Sequence, residues 1–542
     1  MKEIKTIKCA FTVLLLAQVC APLSAMPPEA AAIFEKAGVT LTDADLYRAA
    51  EAYNFWQQKG ENVWPGADMR AVPLQLVFPE KLDVIIGHPS PPADCVKENI
   101  KLPGLDKTFC HRPDRTFYYG FAAGQENGVP MVSLNTMEVF DEYANALMKK
   151  QGLAEGKYAK TYREYQGSLV HELLHAYQYA EKNFLPKKEK NARRPKLTKL
   201  DYPYQDEENC LLLGLEGRVL ADIMDEKDPG RIAELWRDFM AARAARRARL
   251  PRDIVSIEQY MELTEGTARY TGWSAELGKN DDIKPLPQTE ADPRFAGYSS
   301  TDTVREVVRR YLLEMARPDM SRWMGYAYYT GAGLAYNLDK AAPGWKKGLF
   351  RKISGFGSSL DTILLANIKP AGSAEERLKG VYARYEADKM RVGIKAALAA
   401  DLAVNKIKLD KFRARPGKRY ELVFRSVKPA DIAVYAPVML TEYEQLRIFE
   451  RGATMIEYNS GKKNENAVRF AKSFPVLHYR AEGRFELALE EAPAAVIKAK
   501  KTRVKNGVTV YSGGVELDNG VFSWKGEKLE VLEKDGVTTL VF

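Results

Sequence analysis

Long apolar runs are missing from this sequence. Beyond the first 25 residues no stretch approaches 18 uninterrupted apolar residues, so no membrane-crossing helix is expected in the mature chain. Strong charge of one sign is missing too. The formal net charge is +9 over 542 residues, a bias too mild to call for nucleic acid. No repeat of about 20–50 residues and no low-complexity tract occurs. Cysteine and histidine are scarce, at five each. What remains is ordinary globular composition, 46% hydrophobic and 28% charged. That excludes a fibrous, collagen-like or largely disordered chain. At roughly 100–200 residues per domain, the length suggests three domains.

The start of the chain has the layout of an export signal. Lys2, Lys5 and Lys8 form a positive region, and Cys9 to Leu23 is mostly apolar. Pro22-Leu23-Ser24-Ala25 offers small residues for cleavage before Met26. Soluble export is favoured over lipid attachment at Cys20, because Val19 is bulky for such a site. Cys95, Cys110 and Cys210 then remain. In an oxidising compartment Cys95 and Cys110 close a small loop; the alternative is unpaired thiols. Cys210 precedes an apolar run and reads as a buried small hydrophobe.

From Met26 to residue 136 the pattern is mixed. Ala30 to Ala37 and Asp43 to Trp56 look helical, and Pro73 to Ile86 reads as strand, loop and strand. A hairpin is expected with arms Phe117–Ala123 and Val129–Asn135 around Asn127-Gly128. From 137 to 400 helical periodicity dominates. Helices are expected at Leu211–Met224, Ile232–Arg249, Thr303–Met315 and Ala374–Ala400, and Ser256 with Gln259 suggests a capping box for a helix towards Tyr270. The basic stretch Leu185–Leu200 reads as an exposed loop. The arginines at 243, 246, 247, 249 and 252 lack interleaved aromatics and read as a solvated or ion-paired helix. From 401 to 542 short strands and hairpin signals follow, and Lys406–Phe542 reads as all-β. The expected class is α+β: a mainly helical domain with a small N-terminal mixed sheet, plus an all-β C-terminal region.

The motif that carries chemistry is His171-Glu172-Leu173-Leu174-His175. Val170, Leu173, Leu174 and Tyr177 form the stripe of an amphipathic helix. Histidines four apart lie one turn apart on one face, so both imidazoles can reach one Zn²⁺ at about 2.0–2.1 Å. A catalytic zinc needs a third protein ligand and an open position. No third histidine follows closely; the next is His478. A carboxylate must serve, and Glu216 and Glu265 are the candidates, each followed by glycine. Glu258, Glu262 and Glu265 share a helical face, read either as a solvated stripe paired with Arg269 or as ligand Glu265 with Glu262 orienting a histidine.

These residues resemble the gluzincin metallopeptidases, the superfamily that includes thermolysin and the zinc aminopeptidases. HELLH is followed downstream by Glu265-Gly266-Thr267-Ala268, similar to the family's Glu-Gly-x-Ala ligand segment. Glu262 departs from the Trp/Leu of that pattern. Tyr328-Tyr329-Thr330-Gly331-Ala332 resembles the Tyr-x-x-Gly-Ala helix start of the aminopeptidase branch. The resemblance implies zinc on His171, His175 and Glu265, Glu172 as general base, and Tyr328 as oxyanion donor, with Tyr329 the one-residue alternative. It also implies an edge strand, here Val129–Asn135, that pairs with an extended peptide. The spacing from His175 to Glu265 requires inserted helices, and no clear segment for holding a free amino terminus is present. The expectation is an exported zinc peptidase acting on peptide or protein. The alternative is a zinc-retaining, non-catalytic surface protein that binds through its β region.

Overall fold

The computed structural model describes residues 25–114, 120–150, 160–181, 201–278, 283–298, 302–352, 359–369, 371–425, 427, 432–435, 440–443, 446–458, 467–490 and 495–542. Residues 1–24 of the segment read as an export signal, Cys20 among them, and the basic stretch 185–200 lie outside them, as do residues 117–119 of the expected hairpin.

Helices α1 (Pro28–Lys36) and α2 (Asp43–Val63) lead into six strands. These are β1 (Leu74–Phe78), β2 (Leu82–Ile86), β3 (Val96–Leu102), β4 (Lys107–Pro113), β5 (Phe121–Glu126) and β6 (Val129–Leu134). The helical part contains α3 (Met137–Lys150), α4 (Tyr162–Ala180), α5 (Glu207–Asp225), α6 (Pro229–Arg247) and α7 (Arg252–Met261). A π turn, Glu262–Gly266, joins α7 to α8 (Thr267–Glu276). Short α9 (Pro287–Glu290), α10 (Val304–Leu313), α11 (Pro318–Ser321), α12 (Tyr326–Ala341), α13 (Leu349–Lys352), α14 (Leu360–Asn367), α15 (Ala374–Arg384) and α16 (Ala387–Arg413) follow. Ser256 and Gln259 lie inside α7, whose N-cap is Pro251, so the expected capping box is not used. Helix α16 runs to Arg413, past residue 406 where the sequence pattern places the start of the all-β region.

Contacts divide the chain into two compact units. The first takes residues 1–187, 263–308 and 338–358. Its sheet has the order β3-β4-β2-β1-β6-β5. Every pairing is antiparallel except β1 with β6. The β5–β6 hairpin turns at Asn127 and Gly128 (φ 49° and 77°), the left-handed pair that suits a tight hairpin. The strand expected at the sheet edge, Val129–Asn135, is β6, which is paired on both sides; β5 holds the edge instead. Pro130 faces Gln125 there. Helix α4 packs on β5 and β6 through Leu169, Val170, Leu173 and Leu174, all fully buried. Cys95 and Cys110 form a disulfide, as the compartment argument suggests.

The second unit takes 188–262, 309–337 and 359–542. Its C-terminal part is all-β. The strands are β7 (Lys418–Val423), β8 (Ile432–Tyr435), β9 (Leu440–Tyr443), β10 (Leu446–Tyr458), β11 (Ala467–Tyr479) and β12 (Arg484–Leu489). Then come β13 (Val496–Lys498), β14 (Lys501–Lys505), β15 (Val508–Asp518), β16 (Phe522–Lys534) and β17 (Val537–Val541). The path β16-β17-β7-β12-β11 closes through pairing of β11 with β16, which makes a barrel. Alternate inward residues, among them Tyr420, Leu422, Phe485, Leu487, Phe522 and Trp524, fill its core. The chain is therefore α+β with an all-β C-terminal region.

Candidate metal centre

Helix α4 starts where its sequence says it should. Thr161 caps it, accepting from Glu164 N, while Glu164 Oε2 accepts from Thr161 N at 2.8 Å. The helix then presents His171, Glu172 and His175 opposite its buried stripe. Helix α8 lies close against α4. A Cβ at Gly272 would stand 2.5 Å from Gly167 O, so two facing glycines permit the approach.

Between these helices three ligand atoms converge. His175 Nε2 lies 3.1 Å from His171 Nε2 and 3.2 Å from Glu265 Oε2, and His171 Nε2 lies 3.5 Å from that oxygen. A tetrahedron with bonds of about 2.0–2.1 Å has edges of about 3.3–3.4 Å. The donor set and its spacing thus fit zinc. Among the described residues this is the one group of three or more histidine, cysteine or acidic residues placed to hold a metal ion.

The charges respond to this crowding. Burial pushes the His171 pKa down to about 4. Burial acts the same way on His175, but hydrogen bonding and charge from Glu265 overcome it and carry the pKa up to about 9. Burial opposes ionisation of Glu265, yet both imidazoles hold its carboxyl well below the usual range. Glu172 is pushed up, mainly by burial. Its Oε2 accepts from Ala123 N on edge strand β5 at 2.8 Å, while Oε1 lies 4.0 Å from His171 Nε2.

Two sequence expectations are corrected. Glu216 does not approach the histidines. It is fully buried in the second unit, where its carboxylate accepts from Arg243 and Arg246 at 2.9 and 2.5 Å. Glu262 does not orient a histidine either. It accepts from Arg243 at 2.6 and 3.0 Å and from Thr330 Oγ1 at 2.6 Å. The π turn is the reason. Its wider winding breaks the shared face of Glu258, Glu262 and Glu265 and turns Glu265 to the imidazoles. Glu258 also belongs to the arginine cluster, bonded to Arg246 and Arg247, so the stripe is neither solvated nor paired with Arg269.

The residue that orients His175 is Gln178, which sequence reasoning missed. Gln178 Oε1 lies 2.8 Å from His175 Nδ1, and Nε2 donates to Thr264 O and Thr267 Oγ1. The signal was present: residue 178 lies three positions after His175, on the same helix face. Tyr328 lies in the first turn of α12, within the second unit. Tyr329 stacks on Tyr311, with ring centres 4.2 Å apart. No protein-family model, curated protein or solved structure matches this chain.

Proposed function

We propose that this chain is an exported zinc-dependent peptidase. The observation that carries the reading is the convergence of His171 Nε2, His175 Nε2 and a Glu265 carboxylate oxygen within 4.8 Å of one another. Zinc bound there would supply a water of pKa near ~7 and polarise a scissile carbonyl. The chain's own residues supply the rest. Glu172 is a half-buried carboxylate with a raised pKa, suited to take a proton on Oε1 and return it to the leaving amine. Ala123 N–H fixes its other oxygen. The same contact ties the base to β5, which is the edge strand of the sheet among the described residues and the place where an extended peptide would pair.

The export signal and the disulfide both suit an oxidising compartment. No helix among the described residues is long and apolar enough to cross a membrane. The test is elemental analysis of purified protein together with a peptide-library digest, with and without chelator. One zinc per chain and chelator-sensitive cleavage are expected. Glu172→Gln should keep the zinc and lose about 10²–10⁴-fold in turnover. Full activity in that variant would sink the mechanism. Zinc without any cleavage would favour the non-catalytic binding protein.

A further inference from the structure

Two cations beside the candidate centre form no ion pair with a carboxylate among the described residues, although the charge of Glu276 reaches both. Arg269 lies four residues after Glu265, one turn along. Glu265 meets the imidazoles, and Gly272 and Glu276 both pack against α4 at Gly167. Arg269 falls between them on that α4-facing side of α8. It is half-buried, its guanidinium stands 5.5 Å from the Trp273 ring centre, and its Nε has no hydrogen-bond partner among the described residues. Neither its terminal nitrogens nor the Lys160 ammonium makes an ion pair among those residues.

Lys160 comes just before the α4 cap. Its Nζ donates to Ser168 Oγ at 2.5 Å and stands 4.9 Å from the Phe121 ring and 5.6 Å from Phe140. Ser168 is one turn before Glu172, and Phe121 is on β5, so Lys160 approaches the base from the other side. Glu276 is one carboxylate facing two cations, which leaves a positive charge in excess, and the other carboxylates nearby are occupied. Glu164 caps α4, and Glu172 is bound by Ala123. The two positive charges also feel each other. The Lys160 pKa is held below the usual lysine range, first by burial and next by Arg269.

Half-buried cations are costly unless paired. Aromatic faces relieve part of that cost and leave the N–H groups free. We propose that Lys160 and Arg269 form a subsite for a substrate carboxylate, so that the preferred peptide presents a free C-terminus or an acidic side chain near the scissile bond. This rests on the peptidase reading for the word substrate, but the binding claim can be tested apart from turnover.

The probes are an acetylated neutral hexapeptide with a free C-terminal carboxylate, its C-terminal amide, and amidated versions with one Glu or one Gln. Binding is measured by calorimetry on zinc-loaded Glu172→Gln protein, and cleavage on the parent. A carboxylate probe should bind about 10- to 100-fold tighter than its neutral twin. Arg269→Gln and Lys160→Gln should each shrink that ratio, while Arg269→Lys should keep most of it. Preference for the free acid assigns the subsite to a C-terminus; preference for internal Glu assigns it to a side chain. Equal binding of every pair, which needs no variant to observe, would overturn the proposal. So would a preference that survives both Gln substitutions. Carboxylate-selective binding with no cleavage would uphold the subsite and reject the peptidase.

Discussion

Each unit holds one dense cluster of charged side chains, and the two are built on opposite plans. In the second unit Arg243, Arg246 and Arg247 meet Glu216, Glu258, Glu262 and Asp361, with Thr330 and Tyr326 completing the bonds. Every one of these carboxylates accepts from a guanidinium, and the four are buried. In the first unit His171, His175 and Glu265 point their ligand atoms at one another, and Glu265 and Glu172 keep 28% and 15% side-chain exposure. A saturated ion network has nothing left to offer a ligand. The other cluster turns three ligand atoms towards one another and keeps its carboxylates partly open, the arrangement that the zinc proposal needs.

The sharpest way to break this comparison is to exchange the losses. Glu216→Ala should leave two buried guanidiniums short of a partner and cost about 3–5 kcal/mol in denaturant unfolding. Its folded fraction should keep its zinc. Glu265→Ala should reduce zinc from one per chain to almost none, and should cost much less in the metal-free protein. If Glu216→Ala lost zinc and Glu265→Ala lost stability, the roles assigned to the two clusters would be reversed.

The sequence made the first cluster legible and the second only in part, since ion pairing was one of the two readings of the arginine helix but its partners were not named. HELLH is visible because both histidines, the base and the buried stripe depend on one regular helix. The hairpin at Asn127-Gly128 and the barrel strands were legible for a similar reason, since local turn chemistry and alternation decide them. The partners of those arginines were not legible because they come from segments far apart in the sequence, and a charge run alone does not tell a paired helix from a solvated one. Glu262 was misplaced because helical spacing assumes 3.6 residues per turn, and the π turn departs from it. Strand β5 rather than β6 took the edge because pairing order, unlike strand existence, is set by tertiary packing. Gln178 stayed unseen because an amide beside a histidine has no charge signature.

Redox conditions should separate the two units. The Cys95–Cys110 bond links β4 to the segment leading into β3, closing a loop of sequence separation 15. Replacing both cysteines by alanine should cost about 3 kcal/mol. Hydrogen exchange resolved along the chain should place that loss in β1 to β6. An equal loss of protection in β7 to β17 would mean that the units are not independent in stability.

Acid should act on the other side. His478 in β11 is 5% exposed, its ring lies flat on Phe485 with ring centres 4.2 Å apart, and neither nitrogen has a hydrogen-bond partner among the described residues. Burial, then the charges of Arg447 and Arg480, push its pKa down to about 3, against the opposing charge of Asp201. The unfolded chain therefore takes up a proton near pH 6.5 that the folded barrel refuses. Above pH 6.5 the group is neutral in both states and costs nothing. As pH falls towards 3, stability is lost, by about 2–3 kcal/mol at pH ~4.5. His478→Phe should flatten that stretch of the unfolding curve. An unchanged acid slope would place the acid sensitivity elsewhere.

The smallest effect tests how the open cluster is held open. If the proposed zinc takes Nε2 of His175, Nδ1 would carry the proton and donate to Gln178 Oε1, 2.8 Å away. The same amide donates to Thr264 O in the π turn that aims Glu265. Gln178→Leu removes both functions, and zinc affinity should fall about 10- to 100-fold in a chelator competition. Gln178→Glu keeps an acceptor for His175 and loses the donor to the turn. If the Glu variant restores affinity, orientation of the imidazole is what matters. If it remains as weak as the Leu variant, the amide acts by fixing the π turn, and the position of Glu265 depends on a residue of the histidine helix.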